Sequence, residues 1–225
     1  MARTILDRLE ATAKTSFVGR VQELNLLQGA IEASDLPFVV AYIHGIGGIG
    51  KTRLLQATLS NLDPEITTIK LDCREIEPTQ NGFLQALGNY LNLKVPENDA
   101  FSIISHLGEF SARTVFALDT YEAFGLMDTW IRQEFVPSLP DSVFIIINSR
   151  ERPNAAWLTS PGWETLFREI SLHELQEDDA HEMLKLRGLN QSQVFKVNRF
   201  ARGYPLALEL ASAAIRYQPD LEITE

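Results

Sequence analysis

A chain of 225 residues, 45% hydrophobic and 22% charged, can bury a substantial core as one large domain or as a medium domain with a small companion, and its composition excludes a disordered or collagen-like protein. The 30 Asp and Glu against 20 Lys and Arg leave a formal charge of −10, which argues against gripping a nucleic-acid backbone through the overall field, so no nucleic-acid contact is expected. One cysteine, Cys73, rules out an internal disulfide framework and a cysteine-based zinc site and fits a reducing compartment.

In chain order, a mixed helix is expected over 4–14 and a second over 21–33, where Leu24, Leu27 and Ile31 recur at helical spacing. The apolar run 38–43, bounded by Pro37 and Gly45, is short and β-rich and reads as a buried strand. Glycines follow at once, then a helix over 51–62 closed by Pro64. The alternation continues with a strand over 66–72, helices over 82–93 and 100–112, a strand over 114–118, a helix over 124–135, and strands over 142–148 and 167–172. Such alternation predicts a parallel sheet of about five strands with helices on both faces. Beyond Leu175 only helical stretches remain, over 177–186, 191–202 and 204–217, with Gly188 and Gly203 as breaks. The expected division is an α/β core over 1–173 and a small helical lid over 174–225. The N-terminus lacks the apolar segment of a signal peptide and no stretch approaches the ~18 apolar residues of a membrane span, so a cytoplasmic protein without membrane contact is expected.

The sharpest chemical signal is Gly45-Ile46-Gly47-Gly48-Ile49-Gly50-Lys51-Thr52, a complete G-x-x-x-x-G-K-[ST] motif between an expected strand and an expected helix. Small residues let the backbone curl so that successive N–H groups meet phosphate oxygens, and the helix N-terminus adds partial positive charge. Lys51 is expected to neutralise the β- and γ-phosphates and the Thr52 hydroxyl to ligate Mg²⁺; Arg53 completes the nucleotide-binding stretch. The strand 114–118 ends in Asp119, a carboxylate that opens on the same crevice and suits the metal. Thr120 stands where many hydrolytic ATPases carry a water-polarising glutamate. Glu122 is the nearest substitute, or else a cap on the following helix. Asn148-Ser149-Arg150 ends the Ile-rich strand, and Arg150 there can sense the γ-phosphate, with Arg152 as its rival.

With two further elements these residues resemble the signal-transduction ATPases with numerous domains (STAND), the branch of P-loop proteins that includes the NB-ARC and NACHT switches and the large bacterial ATP-dependent transcription regulators. Phe17-Val18-Gly19-Arg20 with Glu23-Leu24 is similar to that family's lead-in motif, and Gly203-Tyr204-Pro205-Leu206-Ala207-Leu208 to its G-x-P element opening a lid helix. The resemblance spans about residues 16–217. It implies a P-loop NTPase three-layer sandwich of the AAA-like type and an adenine pocket lined by Phe17, Val18 and Arg20. It further implies that Pro205 packs on the nucleotide, and that ATP or ADP with Mg²⁺ is bound in preference to GTP. The implied function is a slow ATPase whose nucleotide state governs conformation and self-association, or an effector elsewhere in signal transduction. A fast AAA+-type motor or loader and a nucleotide-binding scaffold that never hydrolyses are the alternatives. In that family a winged-helix domain follows the lid; this chain ends at Glu225 and is expected to be a fragment of a longer protein.

His44, His106, His173 and His181 lack metal-ligand spacing, and zinc is not expected. Glu174, Glu177, Asp178, Asp179 and Glu182 suit the start of a helix. Trp130, Trp157 and Trp163 are expected as core or interface anchors, the last two flanking or within a Pro-rich loop, 153–162, open to a partner.

Overall fold

The computed structural model describes residues 4, 5, 17–94, 96, 99–110 and 112–218. Apart from its first two residues, the helix expected over 4–14 lies outside them. The sheet is built from β1 (Val40–His44), β2 (Thr67–Asp72), β3 (Thr114–Asp119), β4 (Val143–Ser149) and β5 (Phe167–Ser171), all parallel in the order β2-β3-β4-β1-β5. Every residue of β1, β3 and β4 is buried, whereas β2 and β5, at the edges, alternate with exposed positions. That difference is why the central strands read as unbroken apolar runs.

Strand side chains alternate between two cores. Val40, Tyr42, Phe116, Leu118, Ile145 and Ile147 face one, which is closed by α3 (Gln80–Tyr90) and α4 (Ala100–Gly108). Ala41, Ile43, Val115, Ala117, Phe144 and Ile146 face the other, closed by α1 (Val21–Glu32) and α2 (Lys51–Ser60). The result is a three-layer α/β sandwich. Thr79 and Asp99 cap α3 and α4 by accepting from the Gly82 and Ser102 N–H groups, and so start α3 two residues earlier than expected.

After β3 the structure departs from the expected helix over 124–135. The chain runs as a 3₁₀ segment Tyr121–Met127, one α-helical turn Asp128–Trp130, a π segment Ile131–Phe135 and a further 3₁₀ turn Val136–Ser138. Phe124 breaks the helical path at φ −101°, ψ 18°. The wide turn that follows brings Phe135 within 4.9 Å of the Phe83 ring and stacks Trp130 on it at 5.5 Å. Burial of aromatic surface outweighs regular hydrogen bonding here.

The loop expected over 153–162 holds a short helix, α5 (Ala155–Thr159), and is followed by α6 (Trp163–Leu166). Trp157 is not a partner-facing residue. It is fully buried, stacks on Phe167 at 5.1 Å, and donates its indole N–H to Asp128 Oδ1 at 2.8 Å. Tyr121 donates to the same oxygen at 3.1 Å. Cys73 is buried as well, and burial pushes its thiol well above the ordinary range, which leaves it inert.

Three further helices follow among the described residues, α7 (Glu177–Leu186), α8 (Gln191–Ala201) and α9 (Pro205–Tyr217), and they gather a third apolar cluster around Leu184, Val194, Val197 and Leu208. Glu177, Asp178 and Asp179 occupy the first turn of α7, where the helix dipole favours carboxylates. Among the described residues no helix is long and apolar enough to cross a membrane. Trp157→Ala should cost about 3–5 kcal/mol of unfolding free energy in urea titration, because it opens a cavity and strips Asp128 of a donor.

Candidate functional site

Parallel pairing sets the C-terminal ends of four strands along one rim. Register pairs Asp72 with Asp119, Leu118 with Ile147, Ile43 with Asn148 and His44 with Ser149. Asp119 and Asn148 are therefore neighbours, and Asn148 Nδ2 donates to Asp119 Oδ1 at 3.3 Å. His44, the last residue of β1, is buried with its Nε2 2.8 Å from Glu169 on β5; the loop that follows it curls directly into α2.

The backbone polarity of that loop is settled by side chains. Lys51 Nζ donates to the carbonyls of Gly45 and Ile46 at 2.7 and 3.1 Å, Tyr204 Oη donates to the carbonyl of Gly47, and Arg20 Nη2 donates to the carbonyl of Ile49 at 3.2 Å. In a planar trans peptide the N–H of the next residue points opposite to the carbonyl. With four carbonyls drawn to donors in this way, the N–H groups of residues 46, 47, 48 and 50 are directed away from them. Gly48 and Gly50 make the curl possible with φ of +80° and +104°. A Cβ at Gly48 would lie 2.7 Å from Tyr204 Oη and 2.8 Å from the Leu206 side chain, whereas one at Gly50 would meet nothing within 4 Å. The lid packs against the first of these glycines and the second faces open space.

Thr52, at the start of α2, donates its hydroxyl to Asp119 at 3.0 Å to Oδ2 and 3.3 Å to Oδ1. The backbone N–H of Thr120 holds Oδ1 at 3.1 Å, and Thr120 adopts the left-handed conformation at φ 59° to do so. Such a conformation in a β-branched residue costs about 1–3 kcal/mol and is found where surrounding structure enforces it. Glu122 does not cap the helix it starts. Its Oε2 accepts from the Arg150 backbone N–H at 3.0 Å and its Oε1 lies 3.3 Å from Arg150 Nε. The Arg150 guanidinium also lies over Gly47, 3.7 Å from where a Cβ would stand. Lys51 is partly buried, which lowers its pKa; the nearby Arg150 charge adds to this, while Glu122 and Asp119 oppose it.

The lid closes the opposite wall. Arg20, itself left-handed at φ 59°, reaches past the loop to donate to the His173 carbonyl as well, so one guanidinium joins the lead-in segment, the loop and the chain entering the lid. Phe17 packs on the core beneath the loop while Val18 packs in the lid cluster. Gly203, at φ +74°, has no room for a side chain against the Leu175 carbonyl, and its own carbonyl accepts from Leu175 N–H at 2.9 Å. Pro205 then opens α9 at its first turn, where the missing N–H is harmless.

These walls enclose a cleft of about 600 Å³, within the range of small-molecule sites. Among the described residues, Arg20, Lys51, Arg53, Arg74, Arg150 and Arg187 line it against only Asp119, Glu122 and Glu209, so a chain of net charge −10 presents a cationic cleft. Phe17, Val18, Gly47, Gly48, Ile49, Gly50, Thr52 and Pro205 line it too. Gly45 does not; its carbonyl serves Lys51 from outside. Arg152 is exposed and also lies outside the lining, unlike Arg150.

Arg74, Leu175, Met183, Arg187 and Glu209 line the cleft and escaped sequence reasoning. Arg74 follows Asp72 at the end of β2, which grips it through both carboxylate oxygens; its place at a strand end was a usable signal. Glu209 sits one turn beyond Pro205 on the same face of α9 and pairs with Arg187 through two hydrogen bonds, one of 2.9 Å from Nε. Met183 has no signal, since lid-core and cleft-facing methionines look alike in sequence.

No protein-family model matches the chain, and no curated protein matches it in sequence. Solved structures do share its fold. A Walker-type ATPase of Pyrococcus abyssi superposes with a TM-score of 0.62 at 17% identity, over 91% of this chain and 69% of the other. The Aeropyrum pernix ORC1 protein, solved with DNA, gives 0.63 at 17% over 92% and 62%. A STAND protein with a tetratricopeptide repeat sensor from Pyrococcus horikoshii gives 0.56 at 22% over 93% of this chain and 31% of that one. The chain thus has the P-loop ATPase fold and spans from 31% to 69% of the length of these proteins.

The Arg187 guanidinium holds the Glu209 carboxyl below the usual range, mainly by hydrogen bonding. A depressed carboxylate pKa contributes stability that is present above the unfolded value, about 4.3, and lost as pH falls through the folded value. Glu209→Gln should therefore destabilise by about 0.5–1 kcal/mol at pH 7, given the partial exposure of the pair. In urea unfolding across pH 7 to 3, the gap to wild type should close below about pH 4.3.

Proposed function

We propose that the chain is an ATP- and ADP-binding switch ATPase of the STAND type, in which slow hydrolysis resets a helical lid, residues 174–225, on a core formed by 1–173. The observation that carries this reading is the meeting, in one cationic cleft, of a glycine loop whose carbonyls are held by side-chain donors, the Thr52–Asp119 pair and the first turn of α9. Loop N–H groups and Lys51 are suited to the β- and γ-phosphates. Phe17, Val18, Leu175, Met183 and Pro205 supply the apolar surface that an adenine ring needs, with Arg20 bracing that wall. A hydroxyl and a carboxylate 3.0 Å apart, on a rim open to phosphate oxygens and water, form a donor set that suits Mg²⁺. Bound there, the ion would stabilise negative charge on the transferred phosphoryl group.

Glu122 is the carboxylate available to orient the attacking water, and Arg150 the cation available to report the γ-phosphate. Their mutual pairing engages both Glu122 oxygens, and Thr120 stands at the position that hydrolytic enzymes give to glutamate; both features suit slow turnover. The same pairing favours a second reading, a scaffold that binds nucleotide without cleaving it. The lid state would govern self-association, or an effector, in a cytoplasmic signalling protein.

Lys51→Ala should weaken Mg·ATP binding by about 100-fold or more in titration calorimetry, since it removes a charged hydrogen-bond donor; unchanged affinity would sink the proposal. Asp119→Ala should retain nucleotide but lose Mg²⁺-dependent phosphate release. Glu122→Gln separates the two readings. A switch ATPase loses its slow phosphate release with this change, while a scaffold shows no release in either form.

A further inference from the structure

Tyr204 does something that its position before a proline does not require. Its ring packs with the core beneath the phosphate loop rather than with the lid cluster, although Ala207 and Leu208, three and four residues on, belong to the lid cluster. Its backbone is anchored in the lid: its N–H donates to the Ala201 carbonyl at 2.9 Å, and its carbonyl accepts from Leu208 at 3.0 Å. Its hydroxyl crosses to the loop and donates to the Gly47 carbonyl, 157 residues away in sequence. Beside it Leu206 abuts Gly48, where a Cβ would stand 2.8 Å from the leucine side chain. One peptide unit, Gly47–Gly48, is thereby gripped by a hydroxyl on its carbonyl and by an isobutyl group against its Cα.

Peptide planarity converts that grip into an orientation. With the Gly47 carbonyl drawn to the lid, the N–H of Gly48 is turned from the lid, to the side on which an anion would be held. Glycines on either side leave this peptide few other restraints, because Gly populates both signs of φ at little steric cost. The Lys51 and Arg20 donors act on other carbonyls of the loop, those of Gly45, Ile46 and Ile49.

We infer that Tyr204 is a positioning residue that couples the lid to the anion cradle: its hydroxyl holds the Gly47–Gly48 peptide so that the Gly48 N–H faces bound polyphosphate, and lid displacement releases it. This deepens, and rests on, the nucleotide reading above. A bound phosphate favours the oriented peptide and therefore the seated lid, and by linkage the seated lid tightens the phosphate.

The test compares the full chain with its Tyr204→Phe variant, which keeps the ring and removes only the hydroxyl. Hydrogen–deuterium exchange without nucleotide should be about 3–10-fold faster in peptides covering 45–52 in the variant, the range expected for one lost hydrogen bond, with β1, β3 and β4 unchanged. Calorimetry with Mg·ATP and Mg·ADP should show affinity weaker by a similar 3–10-fold. Saturating Mg·ADP should slow exchange at the start of α9 in wild type and do so less in the variant. Equal loop exchange in the two proteins, or acceleration spread equally through the strands, overturns the inference. Should wild type bind no nucleotide at all, the functional reading falls, while loop exchange still decides whether Tyr204 holds the peptide.

Discussion

The structure depends on side-chain donors that hold the carbonyl groups of a glycine-rich curl. A loop of this composition has no intrinsic preference for one peptide orientation, and four of its carbonyls are held by Lys51, Tyr204 and Arg20, which come from the following helix, the lid and the lead-in segment. Three separate parts of the chain must therefore be in position before the loop has one conformation. That requirement explains why Arg20 tolerates a left-handed backbone: from φ 59° its guanidinium reaches both the Ile49 and His173 carbonyls.

The same arrangement joins two cores that would otherwise be linked by a single strand of chain. Phe17 and Val18, adjacent in sequence, insert on opposite sides of the junction, and Tyr204 and Ala207 repeat the pattern from the lid. Gly203 leaves no room for a Cβ against the Leu175 carbonyl within the C-terminal helical part, and Gly19, at φ +72°, lies against the Asp179 side chain.

Much of this was legible in the sequence where the signal is local. The G-x-x-x-x-G-K-T run marks the glycine loop between a buried strand and a helix, and the three fully buried central strands announce themselves as unbroken apolar runs. The regular helix expected over 124–135 fails because sequence periodicity reports which residues are apolar, not how far aromatic rings must turn to meet. Phe83, Trp130 and Phe135 are satisfied by a π segment that no period of 3.6 describes. Trp157 was ambiguous for a related reason: its neighbours Pro153 and Gly162 speak for a loop, and only Asp128, 29 residues back, explains why the indole is inside.

By itself the sequence determined the fold class, the order of the five strands along the chain, and the residues of the glycine loop and of the acidic strand. Each of these is written in neighbouring residues whose backbone preferences and burial patterns are local. Only the tertiary structure decided that Glu122 pairs with Arg150, that Arg187 and Glu209 face the cleft together, and that a lid tyrosine grips Gly47. Such choices turn on the register of parallel strands and on which of several possible donors lies within about 3 Å of a given oxygen, and no spacing along the chain encodes that distance.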